Sequence, residues 1–506
     1  MAALLASPST LVAGWDFSTG SVKCLVFDLT GEVVAEFRGP TDLVERDGAV
    51  ELNAMLLEGQ ARASVRSIVA QLTKLGRLAD WRAGGISATH HTCGRIDADG
   101  NPVRRLICWN DQTLATYHAE GLARLGGPER VQELIGGPWA VRYSLSHLVK
   151  DESTLGEADW RRTTRILPHG PLAAGYLTGR FDATSVSSAA STGMMDLRTN
   201  RWQPAMLGAI GRADYRALAE ATLPTIVPMN EPIGPLAIGD LANPPLVFPS
   251  LDDQAAGLIG GGATEAGQVA IILGNSAVVN SSAVGPPNNA DLDAMKLNWG
   301  PYLWMRCYNN GAQFVDRVAG ANPDWAKLEA AARAVPAGCG GVSVLPFALS
   351  EPSIGVLSPR VEWTPAEPSD PGVRIRAAYE AVAYLIALGV EAHEAAGQSI
   401  SRITVSGGIA RSALMVEILA SVLGRRIERL VSGEGTALGA AVQALAGYET
   451  NLRCQKGVTE PFPCADAVAT MVKFKEPVEP TPAWVEPYRA GLSRFRTELR
   501  NPPRRP

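Results

Sequence analysis

No CxxC pair occurs among the seven cysteines, Cys24, Cys93, Cys108, Cys307, Cys339, Cys454 and Cys464. Their odd number and scattered spacing exclude a disulfide framework and a cysteine-based zinc site as expectations. Reduced thiols in a cytoplasmic protein fit better. No run of about 18 apolar residues is present, so no membrane span is expected. The first fourteen residues carry no basic segment of the kind that opens a secretory signal. Basic charge is not in excess either. The 46 Lys and Arg against 51 Asp and Glu leave a net charge of −5. Nucleic acid and anionic membrane surfaces are therefore not expected partners, whereas a small, specific ligand remains open. Two glycine signatures are missing as well, the GxGxxG of a dinucleotide site and the Walker A loop.

What is present is ample material for a core. Hydrophobic residues make up 46% of the 506 and charged residues 19%. That composition argues against wholesale disorder, and the length suggests two or three domains. Residues 11–37 alternate apolar runs with short turns, Ser18-Thr19-Gly20 and then Asp28-Leu29-Thr30-Gly31. Three consecutive strands are expected there. A helix should follow over 53–75, then a strand over 84–96 that runs into the polar cluster Ser87–Thr92. The plan recurs later. Residues 244–262 pass from an apolar run through Asp252-Asp253 into small residues, and 268–284 repeat the strand–turn–strand pattern around Gly274-Asn275-Ser276. The proline-rich stretch 223–248 suits a boundary between the two halves. Helices are expected over 372–397, 412–423 and 434–446, with a strand over 403–406 ending at Gly407-Gly408. After about residue 470 the composition reads as a solvated tail.

The turns carry the chemistry. Successive backbone N–H groups at Ser18-Thr19-Gly20 can hold a phosphate, and Asp16 at the strand end can orient a hydrated Mg²⁺. An ordinary turn bonded by its own side chains explains the same residues. Gly274-Asn275-Ser276 and Gly407-Gly408 invite the same pair of readings. Three such turns in two similarly built halves point to a nucleotide held between two lobes. Asp252 and Asp253 stand where a strand becomes a helix. Either could take a proton from an alcohol during phosphoryl transfer, and either could cap the helix. His90-His91 and Trp109-Asn110-Asp111 offer imidazole, indole, amide and carboxylate, groups that suit a polyol. A metal site at the histidines has less support, because no third ligand follows at metal spacing.

In this order and spacing the motifs resemble the FGGY family of carbohydrate kinases over roughly residues 11–447. Gly14-Trp15-Asp16-Phe17-Ser18-Thr19 with Val22-Lys23 is similar to the opening of the family's eukaryotic-type xylulose-phosphorylating members. Ile86–His91, Trp109–Gln112, Leu177–Phe181, Asp253–Gly257, Leu273–Ser276, Ser406–Gly408 with Arg411, and Thr436–Ala441 match later family segments. The resemblance implies an α/β fold of two actin-like (ribonuclease H-like) domains, each with a mixed five-stranded sheet flanked by helices. The domains would span 1–243 and 244–506, with the active site in the cleft between. It implies ATP-dependent phosphorylation of a primary hydroxyl on a small sugar, D-xylulose first and ribulose, glycerol or a tetritol otherwise. An actin-fold ATP-binding regulator is the alternative of another class.

By the same resemblance Asp253 is the catalytic base and Asp16 the Mg²⁺ residue. ATP and its phosphates fall to Ser18, Thr19, Lys23, Gly274, Asn275, Ser276, Gly407, Gly408 and Arg411. Substrate falls to His90, His91, Trp109, Asp111, Arg142, Asp253 and Gln254. A homodimer is left open. Three positions depart from the family pattern: His147 stands where its signature has Lys, Asn275 replaces a Thr, and Ser350-Glu351-Pro352 replaces a Gly-Glu-Arg.

Overall fold

A computed structural model describes residues 2–289 and 291–501. Two mixed sheets organise the chain. In the first, the strand Leu11–Phe17 pairs antiparallel with Ser21–Phe27, which pairs with Val33–Pro40. On its other side Leu11–Phe17 runs parallel to Trp81–Ala88. Alternation is absent in Leu11–Phe17, where all seven residues are buried, as a strand covered on both faces requires. The 18–20 turn links the first two strands and leaves its backbone half exposed at the sheet's end.

The second sheet repeats this plan. Gln268–Leu273 pairs antiparallel with Ala277–Ala283 and parallel with Arg402–Ser406. Tyr302–Tyr308, Asp293–Lys296 and Glu428–Arg429 extend it. The two five-strand cores share one order, and both sheets carry more than the five strands expected, seven in the first and six in the second.

The helix Ala54–Lys74 follows as expected. Asn53 caps it by accepting the Met55 N–H, and Leu57, Ala61, Val65, Ile68 and Leu72 turn one apolar stripe inward. Burying each such side chain stabilises the fold by roughly 1.5–3 kcal/mol before conformational entropy is counted. The expected strand over 84–96 is in fact two, Trp81–Ala88 and Cys93–Ile96, separated by the turn that carries His90 and His91. Cys93–Ile96 belongs to a separate five-stranded sheet with Leu43–Arg46, Ala49–Leu52, Leu106–Ile107 and Arg165–Pro168. Nothing in the sequence reading anticipated that sheet.

The stretch 223–248 contributes short strands of its own. Gly234–Pro235 and Leu246–Val247 join the first sheet, and Leu251–Asp252 also pairs with Trp81–Ala88. The region after 470 is not a solvated tail. Pro482–Arg500 is a helix whose Tyr488, Leu492 and Phe495 are buried in the second core. Pro482 sits in its first turn, where a missing N–H costs nothing. The Arg376 guanidinium, itself buried, donates to the Tyr488 hydroxyl at 2.5 Å. The end Arg504-Arg505-Pro506 lies outside the described residues.

Between the sheets two helices cross, Asp253–Gly260 and Gly435–Gln455. The second runs nine residues past its expected end at 446, and its first turns also lie against the first sheet. Their spacing is set by glycine. A Cβ on Gly439 would fall 1.9 Å from the Ala256 carbonyl oxygen, one on Gly260 1.9 Å from that of Gly435, and one on Gly14 1.8 Å from that of Ala437. Backbone meets backbone at each of these points, and only hydrogen fits.

Candidate active site in the interdomain cleft

The strand Leu251–Asp252 ends where the helix Asp253–Gly260 begins. Asp252 accepts the N–H groups of Gln254 at 3.0 Å and Ala255 at 2.9 Å, and its other oxygen takes the Ser187 hydroxyl. It is the helix cap. That leaves Asp253, whose Oδ1 accepts the His90 N–H at 3.1 Å. Of the two roles left open at this pair, the structure assigns the cap to Asp252. Burial first, then the charges of Asp252 and Asp16, push the Asp253 carboxyl up to about 8.

Asp16 lies at the end of its strand, holding the Thr436 hydroxyl at 2.9 Å and the Ser87 hydroxyl at 3.3 Å. Burial raises its pKa as well. Three carboxylates therefore converge here, and Lys23, whose charge acts on Asp16, is engaged with Glu434 at 3.1 Å. Such a group fits a divalent cation and the phosphates that accompany it. One nitrogen of His90 and one oxygen each of Asp252 and Asp253 also lie within 4.8 Å of one another. The fold thus supplies by tertiary contact the carboxylates that the local sequence around His90 lacked.

His90 and His91 stack at 3.6 Å, and His91 stacks in turn on Tyr143 at 4.2 Å. His91 has φ of +62°, a left-handed conformation uncommon for a non-glycine residue. Its Nδ1 lies 2.7 Å from the Ser191 carbonyl, so Nδ1 carries the proton and Nε2 is the free acceptor. Burial lowers His90 to about 4 and His91 well below its ordinary value. Both rings are neutral at pH 7. Both nitrogens of His90, Nε2 of His91 and the Tyr143 hydroxyl are buried without a partner. A row of unsatisfied neutral donors and acceptors along one wall is what polyol hydroxyls could satisfy.

Trp109 Nε1 donates to the Thr19 hydroxyl at 3.3 Å, joining the indole to the first turn. Asp111 accepts from the Thr113 N–H and from Lys150 Nζ, both at 2.8 Å. Arg142 is paired with Asp293. Gln254 accepts from Asn280 Nδ2 at 3.0 Å. Ser18 is spent within its own turn, donating to the Ser21 carbonyl at 2.8 Å. Sequence reasoning missed Lys150, Asp293 and Glu434. For Lys150 a signal existed. It lies one helical turn beyond His147 in the helix Ser144–Thr154, on a residue spacing that brings the two side chains to one face.

In the second half the turn 274–276 is held from behind, by N–H groups of Gly311 on the Asn275 carbonyl (2.9 Å) and of Ala312 on the Gly274 carbonyl (2.7 Å). Gly407, with φ of +100°, would place a Cβ 2.4 Å from the Leu273 carbonyl oxygen, so it packs directly against the start of that turn. A cavity of about 300 Å³ opens beside it, lined among others by Ser406, Gly407, Ala410, Arg411, Ser432 and Gly433. Gly408 is exposed on the same bend.

Two α/β halves of one plan, crossing helices between them, and a cleft with a carboxylate at a helix start and glycine turns on both sides define a phosphotransferase of the actin-like fold. The comparisons make this specific. Residues 11–260 match the N-terminal domain, and residues 305–448 the C-terminal domain, of the FGGY family of carbohydrate kinases. The chain belongs to that family. It is 29% identical to a xylulose kinase of Streptomyces rubiginosus, over 92% of this chain and 94% of the relative. It is 27% identical to glycerol kinase 2 of Streptomyces avermitilis, over 86% and 87%. The ligand-bound xylulose kinase of Lactobacillus acidophilus superposes with a TM-score of 0.82 at 18% identity, covering 97% of this chain and 98% of that one. Among the described residues no helix is long and apolar enough to cross a membrane.

Proposed function

We propose that the protein transfers the γ-phosphoryl group of ATP to a primary hydroxyl of a small sugar, with D-xylulose the first candidate. Asp253 carries this reading. It is the one carboxylate of the adjacent pair left free by the helix cap, and it faces the neutral His90–His91 wall. Asp253 takes the hydroxyl proton as the sugar oxygen attacks the γ-phosphorus and the bond to the ADP oxygen breaks. His91, Asp111, Arg142, Trp109 and Gln254 orient the sugar, with His90 beside them. Thr19, with Lys23, and the 274–276 turn face the phosphates, Ser18 shaping the first turn from within, and Gly407, Gly408 and Arg411 face the adenosine. Asp16 would hold Mg²⁺, which when bound neutralises phosphate charge. Closure of the cleft excludes water and brings the reacting atoms to about 3–3.5 Å. The free thiols suit a reducing cytoplasm.

The deciding experiment is sugar-stimulated ADP release with Mg-ATP across ketopentoses, glycerol, other polyols and aldonates. Turnover with one acceptor well above all others supports the reading and names the substrate. ATP binding without stimulation by any acceptor sinks it in favour of a regulatory ATP-binding protein. Glycerol as the preferred acceptor would favour the second reading that the Streptomyces avermitilis relative suggests.

A second result is expected at Lys150. Among the described residues its ammonium is the only cation bonded to the buried Asp111 carboxylate. Lys150→Met should raise the KM for sugar by about tenfold or more, because a charged hydrogen bond of this kind contributes roughly 1.5–3 kcal/mol. The KM for ATP should not move. An equal rise in both constants would mean that the helix, and not Asp111, had been disturbed.

A further inference from the structure

The loop from Leu349 to Val356 is tied to the second phosphate turn by an unbroken set of hydrogen bonds. Glu351 is almost fully buried, at 1% exposure. Its Oε2 accepts the Asn309 N–H at 2.7 Å and Asn310 Nδ2 at 3.0 Å. The same Asn310 Nδ2 also donates to the Leu349 carbonyl at 3.0 Å, and Asn310 Oδ1 accepts the Leu349 N–H at 2.8 Å. Asn309 Nδ2 donates to the Ser350 carbonyl at 2.8 Å. The loop closes on itself through paired bonds between Glu351 and Val356, at 2.6 and 3.1 Å. The next residue in the chain after Asn310 is Gly311, whose N–H, with that of Ala312, grips the carbonyls of the 274–276 turn. Gly311 has no room for a side chain, since a Cβ would stand 2.5 Å from the Ser276 carbonyl carbon and 2.7 Å from the Gly274 oxygen.

A buried carboxylate is costly unless its acceptors are used. Here the cost is offset by two donors that belong to one dipeptide, and that dipeptide leads straight into the backbone holding the turn. We infer that Glu351 is a positioning residue for the 274–276 phosphate turn, acting through Asn309, Asn310 and Gly311. It touches neither sugar nor nucleotide. It fixes the backbone that aims the turn's donors at the terminal phosphate. The inference rests on the phosphotransferase reading for the turn's role, and places Glu351 between the two departing positions, Ser350 and Pro352.

The test is calorimetric titration of the full chain with ADP and with a non-hydrolysable β,γ-imido analogue of ATP. Glu351→Ala should weaken the analogue about tenfold while ADP binding holds, since ADP lacks the phosphate that the turn would contact. Glu351→Gln keeps an acceptor oxygen for both donors and should stay within about threefold of the parent for both ligands. Equal weakening of both nucleotides by Glu351→Ala, no weakening of either, or a Gln variant as impaired as Ala would each overturn the inference. If Glu351→Ala does not fold, Asn310→Ser removes the side-chain bond to Glu351 and the pair to Leu349. Selective loss of the analogue then supports the relay, and unselective or absent loss overturns it. Sugar-stimulated turnover of the parent is measured alongside. A parent that prefers the analogue to ADP but phosphorylates no acceptor defeats the kinase reading alone. A parent without that preference defeats the inference.

Discussion

Asp253→Asn lowers kcat by about 10²–10⁴-fold, the range that general-base catalysis contributes, while ATP still binds. The amide is nearly isosteric and can still accept the His90 N–H, so the cleft keeps its shape. What it loses is the ability to take a proton. The pH profile gives a second signature. Asp253 sits at about 8 in the folded protein, so kcat/KM of the parent should climb as pH rises toward 8, as the base ionises. Stability moves the other way. The folded pKa lies above the ordinary 3.8, so between those values the folded state binds more protons than the unfolded state. This group's contribution therefore falls as pH rises through the window. Asp253→Asn removes that dependence and should melt above the parent at pH 8, with the gap closing toward about pH 4. Thermal melts at both pH values, beside steady-state rates, check both halves. A variant that retains parental kcat moves the base elsewhere. One that melts no higher at pH 8 denies the carboxylate its buried, crowded setting.

The largest loss of stability is expected at Gly439→Ala. One added methyl would stand 1.9 Å from the Ala256 carbonyl oxygen and 2.9 Å from the Gly260 nitrogen. Both neighbours are helix backbone and cannot swing aside as a side chain could. Overpacking typically costs 1–3 kcal/mol, and this contact should exceed about 3 kcal/mol. Against a total of about 5–15 kcal/mol, that is enough to shift the denaturation midpoint far or to abolish soluble expression. Gly435 in the same helix is the control, because a Cβ there meets open space. Gly435→Ala should be neutral or mildly stabilising, since Ala is the better helix former. If both variants unfold at the parental midpoint, the two helices do not cross in contact.

The strands around 11–37 and 268–284 were legible because short apolar runs broken by Gly, Ser, Thr and Asp turns admit few other readings. The five strands of the extra sheet were not. They are two to four residues long and come together from positions as far apart as Leu43 and Pro168, so no local period announces them. The final helix was hidden by its own prolines, Pro482 and Pro487, which composition scores as breakers although the first stands where a helix tolerates it. At the site, both aspartates of the 252–253 pair fit either role by residue type. Only the direction of each side chain separates cap from free carboxylate, and direction depends on the Ser187 and His90 contacts brought in from the other half. Asp111 was legible by residue type, but its partner Lys150 was missed, because their meeting depends on two segments 39 residues apart.

The helix Gly435–Gln455 has a consequence for the order in which the protein can be completed. Its Thr436 bonds Asp16 across 420 residues of chain, and its backbone fills the space above Gly14 and Gly85. During synthesis the first sheet is therefore laid down early but stays uncovered on that face until the residues after 435 have emerged. The earliest strands and one of the latest helices form a single cooperative unit. The N-terminal half expressed by itself would present that bare apolar face to solvent, where chaperones or aggregation would claim it.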